Sequence, residues 1–246
     1  MIHPTTECRT GNFPMTSWRL LRTAVGTGET ALAARGEFAE RYYRPVLAYL
    51  IAMVRDRDQA EDLCQGFFAD KVIPGGIFAA QNRGPESFRT FLKGALRNYF
   101  RDFLRKKRAT KRPPSDLAVR PDGDSRGWER IPRAAAGEAE RAFDQAFIRS
   151  LLATATRRVS EICAEKDQDV HFELFRQRYL GSADEVPSWR RVGESFGLGE
   201  KDARARTLTV ARHFQQVLKD LVSEGAARGR RPEDEIRSLL SALAKE

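Results

Sequence analysis

The stretch PESFRTFLKGALRNYFRDFLRKKRATKR, residues 85–112, decides how the rest of the chain is interpreted. Its apolar residues recur at steps of three and four, the spacing that gathers side chains on one face of an α-helix. The pattern predicts an amphipathic helix of about six turns that begins near Pro85. Its predicted apolar face consists of Phe88, Phe91, Leu92, Ala95, Leu96, Tyr99, Phe100, Phe103 and Leu104.

Cations follow one flank of this face at four-residue steps and continue beyond the predicted helix end. Between Arg89 and Arg112 there are ten cations and one anion, an excess of nine that equals the formal charge of the whole chain, +9. Basicity concentrated in one place is typical of a nucleic-acid-binding surface, and a merely solvated helix face is the alternative. The cations are Arg89, Lys93, Arg97, Arg101, Arg105, Lys106, Lys107, Arg108, Lys111 and Arg112.

The remaining composition narrows the class of protein. The 246 residues allow one large or two small domains, and no apolar run approaches the about 18 residues of a membrane span. Cys8, Cys64 and Cys163 lie far apart without a paired motif, which predicts neither disulfides nor a zinc site and suits a reducing cytoplasm. The N-terminus lacks the basic start and apolar core of a signal peptide. We therefore expect a cytoplasmic protein with no membrane partner.

Catalytic motifs are not recognisable in the sequence. His3, His171 and His213 have no Ser, Cys or carboxylate partner at a familiar spacing, and neither a P-loop nor a glycine-rich dinucleotide turn occurs. We therefore expect a binding protein that is not an enzyme and needs no cofactor or metal.

Helical periodicity dominates the whole chain and predicts an all-α fold of two small helical domains joined by a flexible linker. A disordered extension over 1–15 precedes the first domain, 16–108. A linker rich in proline and glycine, 109–137, separates it from the second domain, 138–224. A tail with a short amphipathic helix, 225–246, ends the chain.

The first domain contains a helix with an acidic surface. Asp58 is expected to open this helix, with Glu61 three residues later in the manner of a capping box. Leu63 and Phe67 form its apolar side, and a loop over 74–84 leads to the basic helix. The polar side carries Glu61, Asp62, Gln65 and Asp70.

The second domain contains a helix-turn-helix pattern. Ser188 caps a short helix, Gly197-Leu198-Gly199 turns the chain, and a long helix runs from Glu200 to about Ser223. The first turns of this long helix carry cations at the end that usually faces base edges in the major groove, where arginine pairs with guanine. They are Lys201, Arg204 and Arg206.

Two stretches carry a family resemblance. DRDQAEDLCQGFF (56–68), followed by FRTFLKGALRNYFRDFLRKKR (88–108), resembles the second conserved region of bacterial sigma factors of the extracytoplasmic-function (ECF) type. PSWRRVGESFGLGEKDARARTLTVARHF (187–214) is similar to the fourth region of the same group. The resemblance implies a sigma factor that binds core RNA polymerase and directs promoter recognition and opening in transcription initiation.

The resemblance also implies which residues act. The clamp helices of the largest polymerase subunit would contact Glu61, Asp62 and Gln65. Promoter DNA near −10 would contact Arg89, Lys93, Arg97, Asn98, Arg101, Arg105, Lys106 and Arg108. The −35 element would contact Lys201, Arg204, Arg206, Thr207 and Arg212. An anti-sigma factor or another regulator is a further candidate partner.

The sequence leaves two alternative functions open. A stand-alone helix-turn-helix DNA-binding regulator, which does not act through core polymerase, needs only the two DNA-binding helices and leaves the acidic helix unexplained. A nucleic-acid enzyme would use Glu61, Asp62 or Asp70 with a metal ion, and metal-dependent turnover would distinguish it.

Overall fold

The computed structural model describes residues 18–81, 87–111, 133–181 and 186–223, and positions 233, 234, 236, 237 and 241 of the tail. Every regular element in these residues is helical, as the periodicity predicts, and no strand occurs among them. The helices are α1 (Trp18–Val25), α2 (Glu29–Val54), α3 (Arg57–Phe67), a π-helical turn (Phe68–Val72), α4 (Gly76–Gln81), α5 (Phe88–Lys111), α6 (Arg133–Glu165), α7 (Asp169–Tyr179), α8 (Trp189–Glu194) and α9 (Glu200–Ser223).

The first hydrophobic core lies between α2 and the helices around it. The rings of Phe38 and Tyr42 on α2 stack with their centroids 4.5 Å apart, and Phe88 meets Phe38 edge-on at 5.3 Å. Such aromatic pairs add about 0.5–1.5 kcal/mol each beyond the area they bury. The predicted apolar face of α5 is confirmed at its four fully or nearly fully buried positions: Phe88, Leu92, Leu96 and Phe100.

A buried arginine connects three elements of this first core. The guanidinium of Arg35 on α2 donates hydrogen bonds to the carbonyl oxygens of Ala24 (2.9 Å), Gly26 (2.7 Å) and Ile73 (2.7 Å). These carbonyls lie at the ends of α1 and of the π-helical turn, where the helix itself leaves oxygens without partners. Gly75 has φ +82°, and a Cβ there would come within 2.5 Å of Arg35 Nη2. Arg35 therefore positions the chain that enters α4.

Helix α6 belongs to both hydrophobic cores. Ala139 and Phe143 in its first turns are fully buried in the first core, whereas Ile148 and Leu151 belong to the second. The division between the two cores therefore falls within α6, near residue 147. Residues 133–137 of the predicted linker are helical, and residues 112–132 lie outside the described residues.

The second core packs α7 and α9 against the second half of α6, and a smaller cluster of Leu174, Val192 and Ala203 joins α8 to α7 and α9. The Ser188 hydroxyl accepts a hydrogen bond from the Arg191 amide (3.2 Å), so it caps α8 as predicted. Gly197 in the turn has φ +64°, a conformation that favours glycine. Gly193 lies so close to the turn that a Cβ would meet the Leu198 carbonyl oxygen at 2.6 Å. The α8–α9 connection is thus held tightly by backbone contacts.

Three local predictions differ from the structure. Helix α3 begins at Arg57, because Asp56 Oδ1 accepts from the Gln59 amide (2.9 Å); the predicted Asp58 cap is wrong by two residues. The predicted loop over 74–84 contains α4, whose Ile77 and Phe78 are buried in the first core. The basic helix begins at Phe88, and Pro85 lies outside the described residues.

The predicted extension over 1–15 lies outside the described residues, as does most of the tail over 225–246. Within the part of the chain that is described, none of the helices combines the length and the apolarity needed to cross a membrane.

Candidate nucleic-acid interface

The first cations of the α5 row are paired and largely buried. Arg89 Nη1 lies 2.9 Å from Asp144 Oδ1, and Lys93 Nζ lies 3.0 Å from Asp144 Oδ2. The three side chains are only 10–14% exposed. The prediction that Arg89 and Lys93 lie on an open DNA-binding surface is therefore wrong, because α6 covers them.

Arg97, the third cation of the row, is also tied to α6. It forms an ion pair with Glu140, one turn before Asp144. Because Glu140 and Asp144 are four residues apart, they match the four-residue steps of the α5 cations across the helix pair. Buried Tyr49 lies beside this pair, and burial raises the pKa of its hydroxyl while Arg97 opposes the rise. Arg97 thus takes part in the α5–α6 contact, although 44% of its side chain remains exposed.

The second half of α5 is different, because its polar side chains are exposed. Asn98 accepts a 3.5 Å hydrogen bond from Arg101 Nη1, and Arg105 lies 3.6 Å from Asp102 in an exposed pair. Exposed pairs of this kind contribute about 0–1 kcal/mol and exchange readily for other anions. The predicted DNA contacts exposed in this half are Asn98, Arg101, Arg105 and Lys106, and Lys107 of the same cationic row is exposed as well. Arg108 belongs to α5, but its side chain lies outside the described set.

A groove of about 610 Å³ lies beside this exposed half of α5. The ring of Tyr99 forms part of its wall, and its hydroxyl donates to Asp70 Oδ2 at 3.4 Å. Phe67 packs edge-on against Tyr99 with centroids 5.3 Å apart. A Cβ at Gly66 would come within 2.7 Å of the Tyr99 hydroxyl oxygen, so the glycine makes room for the ring. The groove therefore offers a fixed aromatic wall, and its charged lining consists of Asp70, Lys71 and Asp102.

Sequence reasoning missed this groove. It assigned Tyr99 and Phe91 to the buried face of α5, yet both are only partly buried and line the groove. The opposite wall comes from the π-helical turn and α4, neither of which the apolar periodicity predicts. The sequence offers one indication of the groove, which is the presence of Gly66 and Gly94, two small residues within amphipathic helices.

The acidic helix α3 exposes the predicted polar side. Asp62 and Gln65 are exposed, whereas Leu63 and Phe67 on the same helix are buried. Glu61 is partly exposed and pairs with Arg57 at 2.9 Å instead of closing a capping box. Asp62 and Gln65 are therefore available to a partner.

Helix α9 presents part of the predicted cationic set. Lys201, Arg204 and Arg212 are exposed. Thr207 is fully buried, and its hydroxyl donates to the Ala203 carbonyl oxygen at 2.8 Å, so the prediction that it contacts DNA is wrong. Arg206 is half-buried towards α7. Burial of His171 on α7 lowers the pKa of its imidazole, and the nearby charge of Arg206 lowers it further.

The described residues contain no cluster of side chains that could hold a metal ion, and their two cysteines are buried. No group of three or more His, Cys, Asp or Glu side chains there is arranged to hold a metal ion. Cys64 and Cys163 are buried and free, and burial raises the pKa of the Cys64 thiol to about 12. The Cys64 thiol is therefore protonated at neutral pH. Asp70, one of the candidate metal ligands, contacts the Tyr99 hydroxyl.

The chain was compared with protein-family models, with curated proteins and with solved structures, and no significant match was found in any of the three.

Proposed function

We propose that this protein is a cytoplasmic sigma factor of the ECF type. It binds core RNA polymerase, engages promoter DNA near −10 through the exposed half of α5, and reads the −35 element through a helix-turn-helix formed by α8 and α9. The observation that carries the proposal is that the first domain has two separate exposed surfaces, an acidic one on α3 and a cationic one on α5. The alternative of a stand-alone DNA-binding regulator leaves this acidic face unexplained.

The −10 contacts follow from the exposed half of α5. Cations on the rim would hold phosphates, and the groove beside them would accept an unstacked base against the Tyr99 ring. Single strands are commonly bound in this way, by cations along the backbone and by stacking on aromatic side chains. The proposed contacts are Asn98, Tyr99, Arg101, Arg105 and Lys106.

The polymerase contact is assigned to α3. Asp62 and Gln65 project from a helix whose other side is anchored in the first core by Leu63 and Phe67. A rigid helix with a solvated carboxylate and amide suits docking on a basic helical surface, such as the clamp helices of the largest subunit. Glu61 contributes at the edge of this face, through a carboxylate that it shares with Arg57.

Co-purification with bacterial core RNA polymerase tests the proposal. The Asp62→Arg variant reverses a charge at an exposed position, so it should fold normally and lose affinity for core polymerase. Glu165→Arg is the matched control, because Glu165 is an exposed carboxylate in the last turn of α6. Normal affinity of folded Asp62→Arg would remove α3 from the interface. A wild-type chain that binds duplex DNA and not polymerase would favour the stand-alone regulator.

A further inference from the structure

The outer face of α9 has an apolar centre between two cationic ends. Arg204, Leu208 and Arg212 follow one another at four-residue steps and are all exposed, which places them in one stripe on the solvent side of the helix. Leu208 is 39% exposed. Lys201 extends the cationic end towards the start of the helix.

The hydroxyl groups near this centre are occupied by the backbone. Thr209 Oγ1 donates to the Ala205 carbonyl oxygen at 3.2 Å, and Thr207 Oγ1 donates to the Ala203 carbonyl oxygen at 2.8 Å. Such bonds to the preceding turn use the one hydrogen that each hydroxyl can donate. Ala205, beside Leu208, is also exposed. The middle of the stripe is therefore made of methyl and methylene groups.

A single exposed leucine is ordinary on protein surfaces, but Leu208 differs from exposed Leu152 in the residues on either side of it. Leu152 on α6 is 40% exposed, but the residues four before and four after it are Ile148 and Thr156. Leu208 has an arginine at both of these positions. Phosphate contacts fix the register and orientation of a helix on DNA, so two arginines on the same stripe as Leu208 could turn this side chain towards the groove.

We propose that Leu208 reads the C5-methyl group of a thymine in the major groove of the −35 element. Thymine is the base that presents a methyl group there, and apolar side chains are the groups that recognise it. Arg204 and Arg212 supply the flanking contacts to guanine edges or phosphates. This inference rests on the proposed function and adds the base type that the centre of α9 selects.

The test uses the full-length chain bound to core RNA polymerase. Duplexes are selected from a randomised promoter library, and each thymine of the enriched −35 element is then replaced by deoxyuridine, which lacks only the methyl group. At one or two positions the affinity of the wild-type complex should fall about fourfold, the factor that corresponds to one buried methyl-sized group. In Leu208→Ala the thymine and uracil duplexes should bind equally. The Leu152→Ala control should keep the fourfold difference.

The inference is overturned if the enriched element has no thymine that responds to replacement, or if Leu208→Ala keeps the full difference. In either case, Arg204→Ala separates this failure from that of the proposed function. If Arg204→Ala weakens discrimination between selected and scrambled duplexes, α9 is the reading helix and only the role of Leu208 is wrong. If no sequence is enriched, both proposals fail.

Discussion

Replacing Arg101, Arg105 and Lys106 together with alanine should flatten the salt dependence of promoter binding. Each lost phosphate contact reduces the slope of log K against log salt by roughly 0.7–0.9, so three contacts reduce it by about 2–3. Between about 50 and about 200 mM salt, this difference changes the ratio of wild-type to variant affinity by roughly 20- to 40-fold. Fluorescence anisotropy of the polymerase complex on labelled promoter DNA measures both quantities.

The matched control for this experiment is Lys93→Met. Lys93 belongs to the same cationic row but is only 14% exposed and paired with Asp144 on α6, so removal of its charge should leave the salt slope nearly unchanged. A triple variant that keeps the wild-type slope would show that the exposed half of α5 does not contact DNA. A Lys93→Met variant that flattens the slope as much as the loss of one exposed cation would contradict the burial of Lys93.

Three further predictions concern other parts of the molecule. Asp144→Ala leaves Arg89 and Lys93 buried without their carboxylate, so in urea denaturation it should lower the free energy of unfolding by about 3–5 kcal/mol. The control Glu161→Ala removes an exposed carboxylate and should cost about 0–1 kcal/mol, and similar losses in the two variants would contradict the burial of the Asp144 pairs. Arg204→Ala should cost about 1–3 kcal/mol on the correct −35 duplex and far less on a scrambled one, and equal losses would exclude base contact. Because burial raises the pKa of the Cys64 thiol to about 12, Cys64 should resist iodoacetamide at neutral pH in the native protein and react after unfolding. Mass spectrometry measures the labelling, and rapid labelling of the native protein would contradict the burial of Cys64.

The helices and their apolar faces could be predicted because both depend on local periodicity. The buried positions of α5 recur every four residues, and α9 begins and ends where the glycine turn and the apolar pattern predict. Ser188 is a correct cap because its hydroxyl needs only the amide three residues later. Such features are determined within a few turns of chain.

The accessibility of the cations could not be predicted, because it depends on a partner distant in sequence. Arg89 and Asp144 are 55 residues apart, and the periodicity of α5 carries no information about which helix covers its flank. Thr207 was misassigned for a related reason: a polar side chain can lie in the core when its hydroxyl bonds to the preceding turn. The groove beside Tyr99 is formed by four elements, α3, the π-helical turn, α4 and α5, and has no local pattern of its own.

Run-off transcription with purified bacterial core RNA polymerase tests the central claim most directly. The full-length chain is added to core enzyme and a library of genomic promoter fragments, and the 5′ ends of the transcripts are mapped. The sigma-factor proposal predicts defined start sites on a subset of fragments, dependent on the chain and lost with Asp62→Arg. A folded chain that binds DNA but yields no transcripts above those of core enzyme alone would contradict it.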